Sequence, residues 1–245
     1  MSDETPRPDR RTLLAGMALL ATAKTLPARA EGSSAMNNVV LLGDSIFDNK
    51  SYVGSGPDVI AQLKGDLPPG WTATLAARDG STSADIAGQL KAMPANATHL
   101  VVSAGGNDAL QEKALIEESA RSVAEVLDKL AKIKAAFAKS YAAMLDGVLA
   151  RKLPAAVCTV YEARYPDPAT RKIAAAGLSL FNDVITRAAF TRGLPVIDLR
   201  LIIDADSDYA NEIEPSVTGG AKIARVAATL VTTHDFTRRR SEVYV

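Results

Sequence analysis

Three short polar motifs each follow directly after an apolar segment of the chain. Gly43-Asp44-Ser45 follows the first segment, Asp79-Gly80-Ser81 the second and Gly106-Asn107-Asp108 the third. A serine hydroxyl can attack a carbonyl carbon, and the oxyanion that then forms is stabilised by hydrogen-bond donors. Glycine offers an unobstructed backbone N–H, and asparagine offers a side-chain amide. Together the motifs contain a nucleophile, Ser45, and the donors of an acyl-transfer site.

The segments around these motifs alternate between strand and helix patterns. Short apolar runs are separated by stretches in which apolar residues recur every three or four positions. The predicted strands are Val39–Leu42, Trp71–Ala77, His99–Ser103, Ala155–Val160 and Pro195–Leu199. This alternation predicts an α/β fold in three layers, α/β/α, with a central parallel sheet of about five strands. Ligands of such sheets bind beyond the carboxyl ends of the strands, so we expect the motifs to converge there, with Asp44 and Tyr161 contacting substrate.

The longest helical pattern covers residues 109–153, which contain no proline. Its apolar residues recur at helical spacing, so the segment is either one long helix or two helices joined by a slight break. A stripe of this kind normally packs against a core, and we assign it no chemistry.

The composition argues against several kinds of site. Lys and Arg together number 28, as do Asp and Glu, and aromatic residues make up 5% of the chain. Neither charge nor base stacking therefore points to a nucleic acid partner. With one cysteine and two histidines, a Cys/His zinc site is not expected, and we expect no metal and no cofactor. Cys158 lies in a predicted strand and is expected to be buried. The sequence does not indicate an oligomeric state.

Residues 1–30 have the pattern of a secretory signal. The pair Arg10-Arg11, which resembles a twin-arginine signal, precedes the apolar stretch Leu13–Ala21, and Ala28-Arg29-Ala30 supplies small residues for cleavage. We therefore expect export to the periplasm or beyond, with residues 31–37 as a linker. The alternative is translation from Met36, which would leave the protein in the cytoplasm. The apolar stretch is too short for a membrane span, so no stable membrane anchor is expected.

The segment Val39–Asn49, read together with Gly80 and with Gly106-Asn107-Asp108, resembles the first three sequence blocks of the bacterial SGNH/GDSL hydrolase superfamily. The resemblance implies a flavodoxin-like hydrolase domain over residues 38–236, followed by a charged tail over residues 237–245. It implies that Ser45 is the nucleophile and that the Ser45 N–H, the Gly80 N–H and the Asn107 side chain form an oxyanion hole. It also implies a small-molecule substrate, which would be an ester or an acylated sugar or lipid.

The last block of the family departs from its usual form. Where the family has Asp-x-x-His, this sequence has Asn211-Glu212-Ile213-Glu214, so Glu214 stands at the histidine position and Asn211 at the aspartate position. Neither histidine of the chain can substitute. His99 opens the third predicted strand, roughly 20 Å from the edge where the motifs converge, and a helix of roughly 25–30 Å separates His234 from Glu214.

Two functional hypotheses follow from this departure. In the first, the protein is an esterase in which Glu214 is the general base, with its pKa raised by burial and its orientation set by Asn211. In the second, catalysis is weak or lost and the site binds an acyl or glycosyl ligand. An α/β-hydrolase is excluded, because no Gly-x-Ser-x-Gly motif follows a predicted strand.

Overall fold

The structure is a computed structural model that describes residues 36–245. The predicted signal peptide, residues 1–30, lies outside the described residues, as does most of the predicted linker. The described part of the chain contains a single mixed succession of strands and helices, as the sequence pattern predicts.

The strands form one parallel sheet, in the order β2-β1-β3-β4-β5-β6. They are β1 Asn37–Gly43, β2 Trp71–Leu75, β3 His99–Ser103, β4 Ala155–Cys158, β5 Val196–Ile197 and β6 Val243–Tyr244. The chain first passes from β1 outward to β2 and then returns to form β3 on the other side of β1. The carboxyl end of β1 is therefore the switch point of the sheet, where open α/β folds bind ligands.

Residues of β1 alternate between two hydrophobic cores, one on each face of the sheet. Val39 and Leu41 belong to the first core, Val40 and Leu42 belong to the second, and all four are fully buried. Because both faces of the sheet are covered, the strand reads as an unbroken apolar run rather than an alternating one. The predicted three-layer α/β/α architecture is confirmed.

Residues 36–245 form seven α-helices: α1 Val59–Asp66, α2 Ile86–Ala92, α3 Gly106–Gln111, α4 Val123–Leu149, α5 Pro168–Arg192, α6 Leu199–Ile202 and α7 Val217–Thr233. Helices α1 and α7 pack on the first core, while α2, α4 and α5 pack on the second. By length and composition alone, helix α5 is long and apolar enough to cross a membrane. Its Phe181 ring packs against the Phe137 ring of α4 with centroids 4.8 Å apart, so this apolar face belongs to the core.

The helical pattern over residues 109–153 is divided, but the break is longer than the slight one expected. Helix α3 ends at Gln111, a 3-10 turn covers Lys113–Glu117, and α4 begins after Ser122. The Ser122 hydroxyl accepts a hydrogen bond from the Glu125 N–H at 3.1 Å and thereby caps the first turn of α4.

The sheet has six strands rather than about five. The additional strand, β6, comes from the segment predicted as a charged tail and pairs in parallel with β5 through Val196 and Val243. Only two residues form it, and so short a segment carries no alternation from which a strand could be predicted.

Candidate active site

The three polar motifs lie side by side at the carboxyl edge of the sheet. Ser45 follows β1, Gly80 follows β2 and Asn107 follows β3, and β1 lies between the other two strands. Ser45 is 7% exposed and sits in a turn that is closed by a 3.0 Å hydrogen bond from the Asp48 N–H to the Asp44 carbonyl. The strand order therefore brings the nucleophile candidate and both candidate donors to one place.

Gly43 lets the chain turn immediately before Ser45. Its φ is +143°, and a Cβ at this position would lie 2.0 Å from the carbonyl oxygen of Ser103 on β3. No larger residue fits so close to a neighbouring strand. The glycine of the first motif is thus required by the packing of β1 against β3.

Gly80 occupies the third position of a tight turn. The Ser81 N–H donates to the Arg78 carbonyl at 3.1 Å, and the φ of Gly80 is +79°. Glycine is favoured at this position of a type II turn because the position requires a positive φ. A Cβ on Gly80 would have no heavy atom within 4 Å, so the space beside this residue is open.

The segment that follows Ser45 holds the residue preceding Gly80 from two sides. The Asp79 N–H donates to the Asp48 carboxylate at 3.0 Å, and the Tyr52 hydroxyl donates to the Asp79 carboxylate at 2.7 Å. These contacts connect the loop after β1 to the loop after β2.

Asn107, the second residue of the third motif, has its side-chain amide held by a hydrogen bond. Its Nδ2 donates to the Ser81 carbonyl at 3.0 Å. An asparagine amide carries two hydrogens, so the second remains free for another acceptor. The next residue, Asp108, accepts hydrogen bonds from the Ser83 N–H at 2.9 Å and from the Ser83 hydroxyl at 2.6 Å. The second and third motifs are therefore joined by side-chain contacts.

Glu214 lies against Ser45. The Ser45 side chain lies close enough to the Glu214 carboxylate to lower its pKa, and Glu214 is 4% exposed. One carboxylate oxygen, Oε2, is buried and has no hydrogen-bond partner within the described part of the chain. The residue at the family's histidine position therefore lies beside the serine.

Asn211 and Tyr161 hold the backbone of this loop rather than the Glu214 carboxylate. The Asn211 Oδ1 accepts the N–H groups of Ile213 and Glu214, both at 2.9 Å. The Tyr161 hydroxyl donates to the Ile213 carbonyl at 2.7 Å, and its side chain is 3% exposed. Contact between Tyr161 and a substrate stays a prediction.

Burial and neighbouring carboxylates raise the pKa values of two acids at the site. Burial raises the pKa of Glu214, the Ser45 side chain lowers it, and the charge of Asp79 raises it. Asp44 is fully buried, and burial raises its pKa to about 7. The Ile46 N–H, which donates to its Oδ1 at 3.1 Å, opposes this rise, and the charge of Glu214 reinforces it. Asp44 is almost completely buried, and its contact with a substrate also stays a prediction.

Both histidines take part in local contacts at the opposite edge of the sheet. His99 opens β3, where its ring lies 4.8 Å from Trp71 and 5.5 Å from Phe236. His234 follows the last turn of α7, and its Nδ1 lies 3.1 Å from the Glu242 carboxylate. Neither imidazole approaches Ser45, as their positions along the strand and helix predict.

Two residues outside the motifs support the site and were not predicted. Asn49 is fully buried: its Oδ1 accepts the Val59 N–H at 2.9 Å, and its Nδ2 donates to the Pro215 carbonyl at 3.0 Å. Gln89, on α2, bonds to the backbone of Gly43. Asn49 is the last residue of the first family block, and this position is the signal in the sequence that points to it. Nothing in the helical pattern around Gln89 distinguishes it from a surface glutamine.

A family model described as GDSL-like lipase/acylhydrolase matches residues 41–221 of this sequence. The chain belongs to the GDSL-like lipase/acylhydrolase family. This GDSL-like chain is therefore an ester hydrolase in its general class, and small-molecule esters are the substrates that the family indicates. No curated protein sequence matches it.

Solved structures share the fold of this GDSL-like chain at low sequence identity. An extracellular lipase from Streptomyces rimosus has 19% identity and a TM-score of 0.59, over 80% of this chain and 100% of that one. A lipolytic G-D-S-L family protein from Veillonella parvula has 15% identity and a TM-score of 0.60, over 81% and 100%. A lipase from a goat rumen metagenome has 18% identity and a TM-score of 0.60, over 81% and 97%.

Proposed function

We propose that the protein is a serine esterase in which Ser45 is the nucleophile and Glu214 is the general base. The observation that carries this proposal is the position of the buried Glu214 carboxylate beside Ser45, where the Ser45 side chain lowers its pKa. Among the described residues, both histidines are engaged at the other edge of the sheet, so Glu214 is the base that lies beside Ser45.

The reaction begins with proton transfer from the Ser45 hydroxyl to the Glu214 carboxylate while the Ser45 oxygen attacks the ester carbonyl. The carbonyl oxygen becomes an oxyanion, which the Ser45 N–H, the Gly80 N–H and the free Asn107 N–H stabilise. When the intermediate collapses, protonated Glu214 gives its proton to the departing alcohol and leaves Ser45 acylated. A water molecule then transfers a proton to Glu214 while its oxygen attacks the acyl carbon. When this second intermediate collapses, the bond to the Ser45 oxygen breaks, Glu214 returns the proton to that oxygen, and the acid is released.

A carboxylate is a weak base for a serine hydroxyl, and its surroundings here compensate in part. An ordinary glutamate has a pKa near 4.3, well below that of the imidazole it replaces. Burial raises the pKa of Glu214 and so strengthens it as a base. The buried Oε2 has no hydrogen-bond partner among the described residues, so no donor stabilises the charge there, which also favours uptake of a proton.

Hydrolysis of p-nitrophenyl acetate by the wild type, by Ser45→Ala and by Glu214→Gln tests this assignment. The serine variant should lose its turnover. The glutamine variant should lose about 10²- to 10⁴-fold in kcat, because an amide of the same shape cannot accept the proton. Glu212→Gln, which changes an exposed carboxylate two residues away, is the matched control and should retain wild-type activity. Equal rates for Glu214→Gln and Glu212→Gln would reject Glu214 as the base.

The replacement of the histidine also favours a second candidate, a binding protein with weak or no turnover. In that case, wild type and Ser45→Ala would show equal, negligible hydrolysis, and an ester or its acid product would still raise the melting temperature. Labelling of Ser45 by a fluorophosphonate would count against this candidate, because it requires an activated serine.

We infer further that the protein is exported through the signal in residues 1–30. The arginine pair, the apolar stretch and the small residues at the cleavage point support this inference. The structural similarity to an extracellular lipase is consistent with it. Fractionation of producing cells tests it: mature protein beginning near residue 31 should be found outside the cytoplasm, and an uncleaved cytoplasmic product would reject it.

A further inference from the structure

Gln89 makes a paired contact with the nucleophile motif. Its side chain is 4% exposed and points from α2 toward the end of β1. The Gly43 N–H donates to the Gln89 Oε1 at 2.8 Å, and the Gln89 Nε2 donates to the Gly43 carbonyl at 2.7 Å. One side-chain amide therefore satisfies both polar backbone groups of the residue that precedes Asp44 and Ser45.

This contact replaces a missing strand neighbour. The last β2 residue in register with β1 is Leu75, opposite Leu41, and the next two N–H groups both donate to the Leu41 carbonyl. Beyond that point the chain leaves the ladder, and Arg78 reaches the Gly43 carbonyl at 3.0 Å while no backbone group accepts the Gly43 N–H on this side. A buried backbone N–H needs a partner, and Gln89 supplies it.

The same amide also reaches the oxyanion-donor motif. The Gln89 Nε2 lies 3.2 Å from the Ser81 hydroxyl, next to Gly80. Ser81 in turn accepts the Asn107 amide through its carbonyl. The contacts of Gln89 with Gly43 and Ser81, here called the Gln89 bridge, thus link the motif that carries the nucleophile to the motif that carries the Gly80 N–H.

We propose that Gln89 is a positioning residue that sets the separation between the Ser45 hydroxyl and the Gly80 N–H donor. The inference rests on the proposed function, because this separation matters only if an oxyanion forms between the two groups. Gln89 acts through Gly43 and Ser81 and does not itself touch the reacting atoms. Oxyanion donors must be aligned closely with the transition state, so a displacement of the order of 1 Å costs ~10²-fold in rate.

Two substitutions separate this role from a general role in packing. Gln89→Met keeps the length of the side chain and removes both hydrogen bonds to Gly43, so kcat should fall ~10²-fold with little change in KM. Gln89→Glu keeps the shape, but as a carboxylate it repels the Gly43 carbonyl. When it is protonated, it can donate to that carbonyl and accept the Gly43 N–H again. The activity of Gln89→Glu relative to wild type should therefore rise as the pH is lowered, a recovery that lost packing would not give.

Gln62 provides a matched control. It is a helical glutamine on α1 whose Nε2 donates to the Pro57 and Val217 carbonyls on the other side of the sheet. Gln62→Met should leave kcat near the wild-type value, and the relative activity of Gln62→Glu should not change with pH. Wild-type kcat in Gln89→Met, or a pH-independent ratio for Gln89→Glu, would overturn the proposal.

Hydrogen exchange at the Gly43 amide gives a readout that does not depend on turnover. Loss of the Gln89 Oε1 should increase Gly43 exchange in Gln89→Met and leave it unchanged in Gln62→Met. If wild type hydrolyses no ester, the proposed function fails. Equal Gly43 exchange in the two variants would separately overturn the Gln89 bridge, whether or not the protein has turnover.

Discussion

Asp44→Asn should raise the free energy of unfolding relative to wild type, and this difference should grow as the pH rises. Asp44 is 2% exposed, and its pKa in the folded chain is about 7 against an ordinary 3.8, chiefly because burial disfavours the charged form. A group whose pKa is raised on folding favours the folded state at low pH. Its contribution is complete below about pH 4 and is lost as the pH rises through 7.

The size of the effect follows from the two pKa values. Each unit of difference corresponds to 1.36 kcal/mol, so ionisation of Asp44 costs the folded state ~4 kcal/mol once the pH is above 7. Asparagine keeps the oxygen that accepts the Ile46 N–H and carries no charge. The free energy of unfolding of Asp44→Asn minus that of wild type should therefore rise with pH, by up to ~4 kcal/mol between pH 4 and pH 8.

Urea unfolding of both proteins at pH 4, 5, 6, 7 and 8 measures this difference, and subtraction removes the titration of all shared groups. Asp167→Asn is the control of opposite sign. Asp167 caps α5, and hydrogen bonds from Thr170 lower its pKa, so the stability that Asp167 contributes is lost as the pH falls. If the difference in free energy of unfolding between Asp44→Asn and wild type stayed constant or fell with pH, folding would not raise the pKa of Asp44. The argument from burial would then be wrong.

Four further outcomes are expected. Lys222→Ala should lower the free energy of unfolding by ~3 kcal/mol in urea titrations, because the fully buried Asp208 would lose an ammonium group 2.8 Å from its carboxylate. The Cys158 thiol, which is buried and has a raised pKa, should react with a thiol reagent only in denaturant. Gly43→Ala should unfold at a much lower temperature than wild type or fail to fold, since the added carbon meets a backbone oxygen of β3 at 2.0 Å. Gly65→Ala, at an open position of α1, should raise the melting temperature by a few degrees through helix propensity.

The arrangement of the three motifs could be predicted from sequence because it follows from backbone topology. Strands that run parallel place their carboxyl ends at one edge, and a motif after each strand must lie there. The start of α4 could also have been predicted, because Ser122 and Glu125 form a Ser-x-x-Glu helix start inside the apolar stripe. The sequence pattern left the break as one of two alternatives because no proline or glycine marks it.

Contacts made by single side chains over long sequence separations could not be predicted. Gln89 bonds to Gly43 across 46 positions, and Asn49 bonds to Pro215 across 166. Neither contact produces a periodic pattern, because each depends on where two loops meet after the sheet has formed. The role of Asn211 differs for a similar reason: a short polar side chain often bonds to the backbone two or three residues later, and here it does so instead of touching the base.

The loop that carries Glu214 is fixed almost entirely through its backbone. Asn211 accepts the Glu214 N–H, Tyr161 donates to the Ile213 carbonyl and Asn49 donates to the Pro215 carbonyl. None of these bonds depends on which side chain residue 214 carries. The backbone around position 214 is therefore held beside Ser45 whichever side chain stands at that position. A substitution of Glu214 by another proton acceptor would therefore leave the three bonds that hold this loop in place.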